Sequence, residues 1–161
     1  MNLEYIFKTQ VKLDQAILSN VEESQKTNIK IKATIALLVE LGEFANEVQA
    51  FKYWKKHKKI NQEKLLEEFA DGIHFLTSFA NDVQLNPEIE IILKSNDFSL
   101  QLSYTYTCFT KLLNEYNYQN IKEAYGAYLG LGKLANIEYN DILNAYLNKN
   151  LINYKRIENN Y

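Results

Sequence analysis

Four acidic residues fall into two pairs of matched spacing, Glu40 with Glu43 and Glu68 with Asp71. Residues three apart share one helix face, so in helical segments each pair sets two carboxylates side by side. Carboxylates gathered in an apolar bundle repel one another and lose hydration, which a folded chain offsets with protons or cations. Hard oxygen donors of this kind suit Mg²⁺, or Mn²⁺ in its place. Charged helices also produce such spacings on solvated faces. What distinguishes Glu40 and Glu43 is their setting, Ala33 to Ala45, which is apolar nearly all the way round and predicts a buried helix.

Aromatic and polar residues recur around these acids. Trp54 follows Glu43 by eleven residues, almost three turns of a continuous helix, which predicts a ring on the Glu43 face. Phe75 follows Glu68 by seven and His74 follows Asp71 by three, placing a ring and an imidazole beside the second pair. Singly these are ordinary core residues. Together they outline a slot in which a planar ligand stacks while its charged end meets metal. Gln10 and Asp14 intrude on the apolar side of the first helix, either satisfied within the bundle or reading a ligand. Lys149, Asn153 and Arg156 fall at i, i+4 and i+7, two cations flanking an amide, which makes a phosphate clamp or a polar solvent face. Arg156 is the one arginine among 18 Lys and Arg, at a position where a planar fork is retained despite the bias to lysine.

Four carboxylates holding two or three Mg²⁺, with lysines nearby and an aromatic slot, fit metal-assisted phosphoanhydride hydrolysis. One carboxylate at the edge of the cluster takes a proton from the attacking water, and Glu43 is the first candidate. The basic connector Lys55 to Lys59 serves solubility or draws a triphosphate toward the site.

The elements that must position these groups are helical. Five Gly and one Pro in 161 residues leave few breaks, and strand-like alternation is scarce, so the expected class is all-α, a helical bundle in a single domain over residues 1–161. Expected helices run over about 2–19, from a cap at Thr27 or Asn28 to Trp54, over 62–85, then a short helix from Pro87, and over 99–116, 120–136 and 138–154. Ten of the twelve Tyr lie after residue 100, suited to core packing or to a half-wet subunit interface. The net charge of −2 argues against nucleic acid as a partner. The lone Cys108 forms no internal disulfide and fits a reducing compartment, and no apolar run approaches a membrane span, so a cytoplasmic protein is expected.

Four segments carry a resemblance: Glu40-Leu41-Gly42-Glu43-Phe44-Ala45-Asn46-Glu47, Phe51-Lys52-Tyr53-Trp54, Leu66-Glu67-Glu68-Phe69-Ala70-Asp71-Gly72-Ile73-His74-Phe75, and Lys149-Asn150 with Asn153, Arg156 and Tyr161. The chain resembles the dimeric all-α dUTP pyrophosphatases, a branch of the all-α NTP pyrophosphatases. The resemblance implies that Glu40, Glu43, Glu68 and Asp71 ligate Mg²⁺ and that a Glu activates water for attack on the β-phosphorus, giving dUMP and pyrophosphate. It implies uracil recognition by Trp54, His74 and the Gln10 region with Asp14, and deoxyribose packing on Phe75 that excludes a 2′-hydroxyl. Lys52 joins the substrate-binding set, and Lys149, Asn153 and Arg156 contact phosphates and base. A homodimer is implied, with the site assembled between subunits. The tail departs from the family pattern, reading Arg156-Ile157-Glu158-Asn159-Asn160-Tyr161 where relatives carry Arg-Gln-x-x-Gly-Tyr. Two other readings compete: a broader-specificity nucleoside triphosphate pyrophosphatase, and a non-catalytic helical protein that holds metal or nucleotide.

Overall fold

The computed structural model describes residues 1–159. Six α-helices are formed there: α1 Glu4–Asn20, α2 Ile29–Val48, α3 Gln62–Asp82, α4 Phe98–Lys111, α5 Tyr118–Leu134 and α6 Tyr139–Glu158. The expected all-α class is what the chain adopts, and the one sheet-like feature among the described residues is the single antiparallel bridge Asn2 to Glu88. Helix starts follow local chemistry. Asn61, Asp97 and Asn117 each accept a hydrogen bond from the backbone N–H three residues on, which satisfies a donor that the helix cannot. At α6 the Glu138 N–H donates to the Asp141 carboxylate at 2.9 Å, half of a capping box.

Helix α3 is the axis of the bundle, packed against α1, α2, α5 and α6. Its Phe69 stacks on Tyr128 of α5 at 4.5 Å, and Phe44 of α2 tilts onto Phe69 at 5.0 Å. All three rings are at most 1 % exposed, so this aromatic knot supplies much of the apolar burial that fixes α2 and α5 on α3. Gly72 makes it fit. A Cβ at Gly72 would lie 2.3 Å from the Tyr128 hydroxyl, which instead passes α3 closely and donates to the Phe69 carbonyl at 3.1 Å.

Several expectations are corrected. Helix α2 stops at Val48 instead of running to Trp54, because Gln49 turns left-handed (φ 60°) and its N–H returns to the Ala45 carbonyl. The buried Gln49 side chain then organises the connector, donating to the Lys59 carbonyl at 2.8 Å and accepting from Lys55 at 2.9 Å. Asn28 occupies the start of α2 without capping it through its side chain. The short helix expected from Pro87 is absent. That stretch is extended, with Leu3 N–H donating to the Pro87 carbonyl, Ile89 N–H to Met1 and Ile92 N–H to Gly126. Its backbone is satisfied by the amino terminus and by α5 instead of by a helical turn. Helix α4 ends at Lys111, short of residue 116. Nor is α2 buried all round: Ile31, Ile35 and Val39, one turn apart, are 45 %, 51 % and 53 % exposed. Among the described residues no helix is long and apolar enough to cross a membrane.

Candidate active site

The acidic pairs meet where α2 crosses α3. One carboxylate oxygen each from Glu40, Glu68 and Asp71 lies within 4.8 Å of the others. Glu43 stands at the edge of this group, hydrogen-bonded to Glu68, and the two line a cleft of about 320 Å³ with Val39, Gly42, Asn46, Glu47 and Lys64. Burial pushes Glu40 up to about 7, and the charges of Asp71, Glu43 and Glu68 push the same way. Glu68 is also raised to about 7, by burial first and then by Glu43. Asp71 is raised by burial, with Lys149 opposing. Three converging oxygens with a suppressed tendency to ionise are what a divalent cation would relieve, and the donor set is all hard oxygen.

Helix α6 lies along α3 and adds groups at one-turn spacing, Tyr146, Lys149, Asn150 and Asn153. The Lys149 ammonium is 2.6 Å from Asp71 Oδ2 and 2.9 Å from Glu67 Oε1, with its side chain 8 % exposed. Burial alone would lower its pKa, but these two carboxylates outweigh it and the net shift is upward. Asn153 is half-buried and Arg156 exposed, and the Arg156 charge reaches Asp71. The two cations and the amide of the expected clamp therefore share α6, with Lys149 turned inward onto the acids. Tyr161 lies outside the described residues.

One turn further along α3, a polar cluster begins. Gln10 of α1 is buried, donates to Asp14 at 2.8 Å, and accepts through Oε1 from the Tyr146 hydroxyl at 2.9 Å. The same oxygen is 2.8 Å from His74 Nδ1. Paired as donor to an amide oxygen, Nδ1 carries the imidazole proton and Nε2 is left as an acceptor. The His74 ring stacks on Tyr146 at 4.1 Å, and burial holds its pKa down to about 4, so it is neutral near pH 7. Among the described residues two buried polar atoms here, His74 Nε2 and Asn150 Nδ2, lack a partner in good hydrogen-bond geometry, although the Tyr146 backbone acts on His74 and the Asn150 side chain on the Tyr146 hydroxyl. Buried polar groups are almost always satisfied, so these two atoms beside the same tyrosine are the places in the cluster best suited to hydrogen-bond a polar ligand. Asp14 is raised to about 6 by burial, despite hydrogen bonds from Gln10 and Ser78. Phe75 is half-buried against the core.

The structure thus brings together Glu40, Glu43, Glu68, Asp71 and Lys149, and separately Gln10, Asp14 and His74. Trp54 does not follow Glu43 along one helix. It is 62 % exposed in the connector, edge-on to Phe51 and Tyr53. Lys52 binds Asn46 at the end of α2. Three residues had no role in the sequence reading, Glu67, Tyr146 and Asn150. A signal for Tyr146 and Asn150 was present, since the two lie four residues apart and so share one helix face.

A family model described as dUTPase matches residues 2–161, the whole chain but its first residue. The chain belongs to the dUTPase family. No curated protein and no solved structure matches it. Its all-helical architecture matches the dimeric all-α dUTPase family, and membership supports a hydrolase of the dUTP pyrophosphatase type.

Proposed function

We propose that this dUTPase-family chain hydrolyses dUTP to dUMP and pyrophosphate with Mg²⁺. The observation that carries the reading is the convergence of Glu40, Glu68 and Asp71 beside an edge carboxylate, Glu43, that opens on a cleft. These residues fit Mg²⁺ by donor chemistry and would hold it through their carboxylate oxygens. When bound, Mg²⁺ neutralises the phosphate oxygens and the charge that develops on the departing pyrophosphate.

The chain's own groups then have distinct tasks. Glu43, at the rim of the cleft, accepts a proton from the water that attacks the phosphoanhydride. Tyr146 holds the Gln10 carbonyl in place, and Gln10 fixes His74 with Nδ1–H inward and Nε2 free to accept. The Nε2 acceptor and the Asn150 amide donor complement the imide N–H and carbonyl edge of uracil. Phe75 packs on deoxyribose where a 2′-hydroxyl would crowd, and Trp54 and Lys52 serve from the connector as stacking surface and cation. Asn153 and Arg156 meet phosphate from the outer turns of α6. The exposed stripe Ile31, Ile35 and Val39, which Glu43 continues by one more turn, supports a homodimer whose interface runs to the edge of the site.

Glu43→Gln tests the catalytic assignment. The expected result is loss of about a thousandfold in kcat, with an unchanged helical circular dichroism spectrum and an equal or higher Tm, since one charge leaves a repulsive cluster. Retention of most of the turnover would remove Glu43 from this role.

A further inference from the structure

Lys149 stands in an unusual place for a phosphate ligand. Its side chain is 8 % exposed, and its ammonium is nearer to Asp71, at 2.6 Å, than to Glu67, at 2.9 Å. Asp71 is one of the three carboxylates that converge on a common point, whereas Glu67 is not a member of that group and is 47 % exposed at its rim. An ammonium and a divalent cation repel at such range in a poorly solvated site, so each weakens the other's hold on a carboxylate they share. A lysine has a flexible stem of four methylenes and a point charge without fixed geometry, so it can leave Asp71 and remain on Glu67 with no movement of α6.

We propose that Lys149 is a resident counter-cation that competes with the divalent ion for Asp71 and is handed to Glu67 when that ion binds. The inference rests on the reading that the acidic cluster holds metal. Lys149 keeps the metal-free acids compatible with a folded bundle, tying α6 to α3, and it sets how tightly the site takes up metal. Glu67 gives the displaced charge a partner at the rim, where it remains available to an incoming phosphate. Lys149 and Glu67 are in this respect positioning residues.

Mn²⁺ alone is the probe, titrated by calorimetry into the metal-stripped full chain and followed in parallel by thermal unfolding. Lys149→Met keeps the buried stem and removes the competitor. It is expected to lower the metal-free Tm and to tighten Mn²⁺ binding about tenfold or more, so that Mn²⁺ raises its Tm further than that of the wild type. Glu67→Gln leaves the ammonium on Asp71 alone and is expected to weaken Mn²⁺ binding, by a smaller factor once Lys149 is Met. A Lys149→Met chain that folds only with Mn²⁺ also supports the proposal. Unchanged or weaker Mn²⁺ binding by Lys149→Met overturns it, as does an equal effect of Glu67→Gln in both backgrounds. If Lys149→Met fails to fold even with Mn²⁺, the decision passes to Glu67→Gln alone, for which unchanged binding overturns the handover. Failure of the wild type to bind Mn²⁺ at all is a different result, and it removes the metal reading itself.

Discussion

Glu40 and Glu68 are carboxylic acids whose folded environment holds them near 7 against an ordinary 4.5, through burial and mutual repulsion. An acid whose pKa is raised on folding contributes stability below its unfolded pKa and loses it as pH rises through the folded value. His74, held down at about 4, works the other way, but only below its ordinary 6.5. Between pH 6.5 and 8 the carboxylates therefore dominate. In chelator, Tm is expected to fall by several degrees across that window, and Mg²⁺ should abolish the fall by replacing the lost protons; a flat or rising profile in chelator would contradict the account of the cluster. At this scale the sequence was most informative where spacing is local. The four acids and the His74 to Asp71 relation lie within single helices, so three-residue offsets reveal them. Glu67 to Lys149 and Gln10 to Tyr146 are separated by 82 and 136 residues, and only packing could disclose those pairs.

Helix α3 carries a polar seam through an otherwise apolar bundle. Glu67 and Asp71 meet Lys149, His74 meets Gln10 and Tyr146, Ser78 bonds Asp14, and Asp82 accepts from the Tyr116 hydroxyl at 3.0 Å. A seam of this kind, each group finding a partner on α1, α5's preceding turn or α6, aligns the helices around the site as well as the apolar core does. The helices themselves were legible from periodicity, and the structure shows Asn61, Asp97 and Asn117 capping three of them. The end of α2 was not, because Gln49 adopts a left-handed conformation usually marked by Gly, and the side-chain bonds that stabilise it join residues of the connector. That end releases Trp54 from the Glu43 face. The exposed stripe on α2 yields a prediction at the same scale. Ile35→Lys, at the centre of the stripe, is expected to raise the dissociation constant of the proposed homodimer at least about thirtyfold in sedimentation velocity, with helix content unchanged. A wild-type chain that sediments as a monomer would sink the homodimer.

For the whole molecule, the bundle sets two differently tuned regions along one axis. At one end are acids that could hold a cation, and a turn or two away are buried hydrogen-bonding groups, two of whose atoms lack a well-placed partner among the described residues. A nucleotide with a charged triphosphate and an imide base has the same polarity along its length, which is why the two regions read as parts of one site. Membership of the dUTPase family is consistent with that division and covers both regions. The measurement that bears most directly on it is pyrophosphate release by the purified chain from dUTP, dTTP, dCTP, UTP and dATP, each with Mg²⁺ and with chelator. Cleavage confined to dUTP and abolished by chelator is the expected result. Equal cleavage of several nucleotides would contradict the uracil and deoxyribose assignments while sparing the acids, and absence of cleavage from every one would contradict the catalytic reading as a whole.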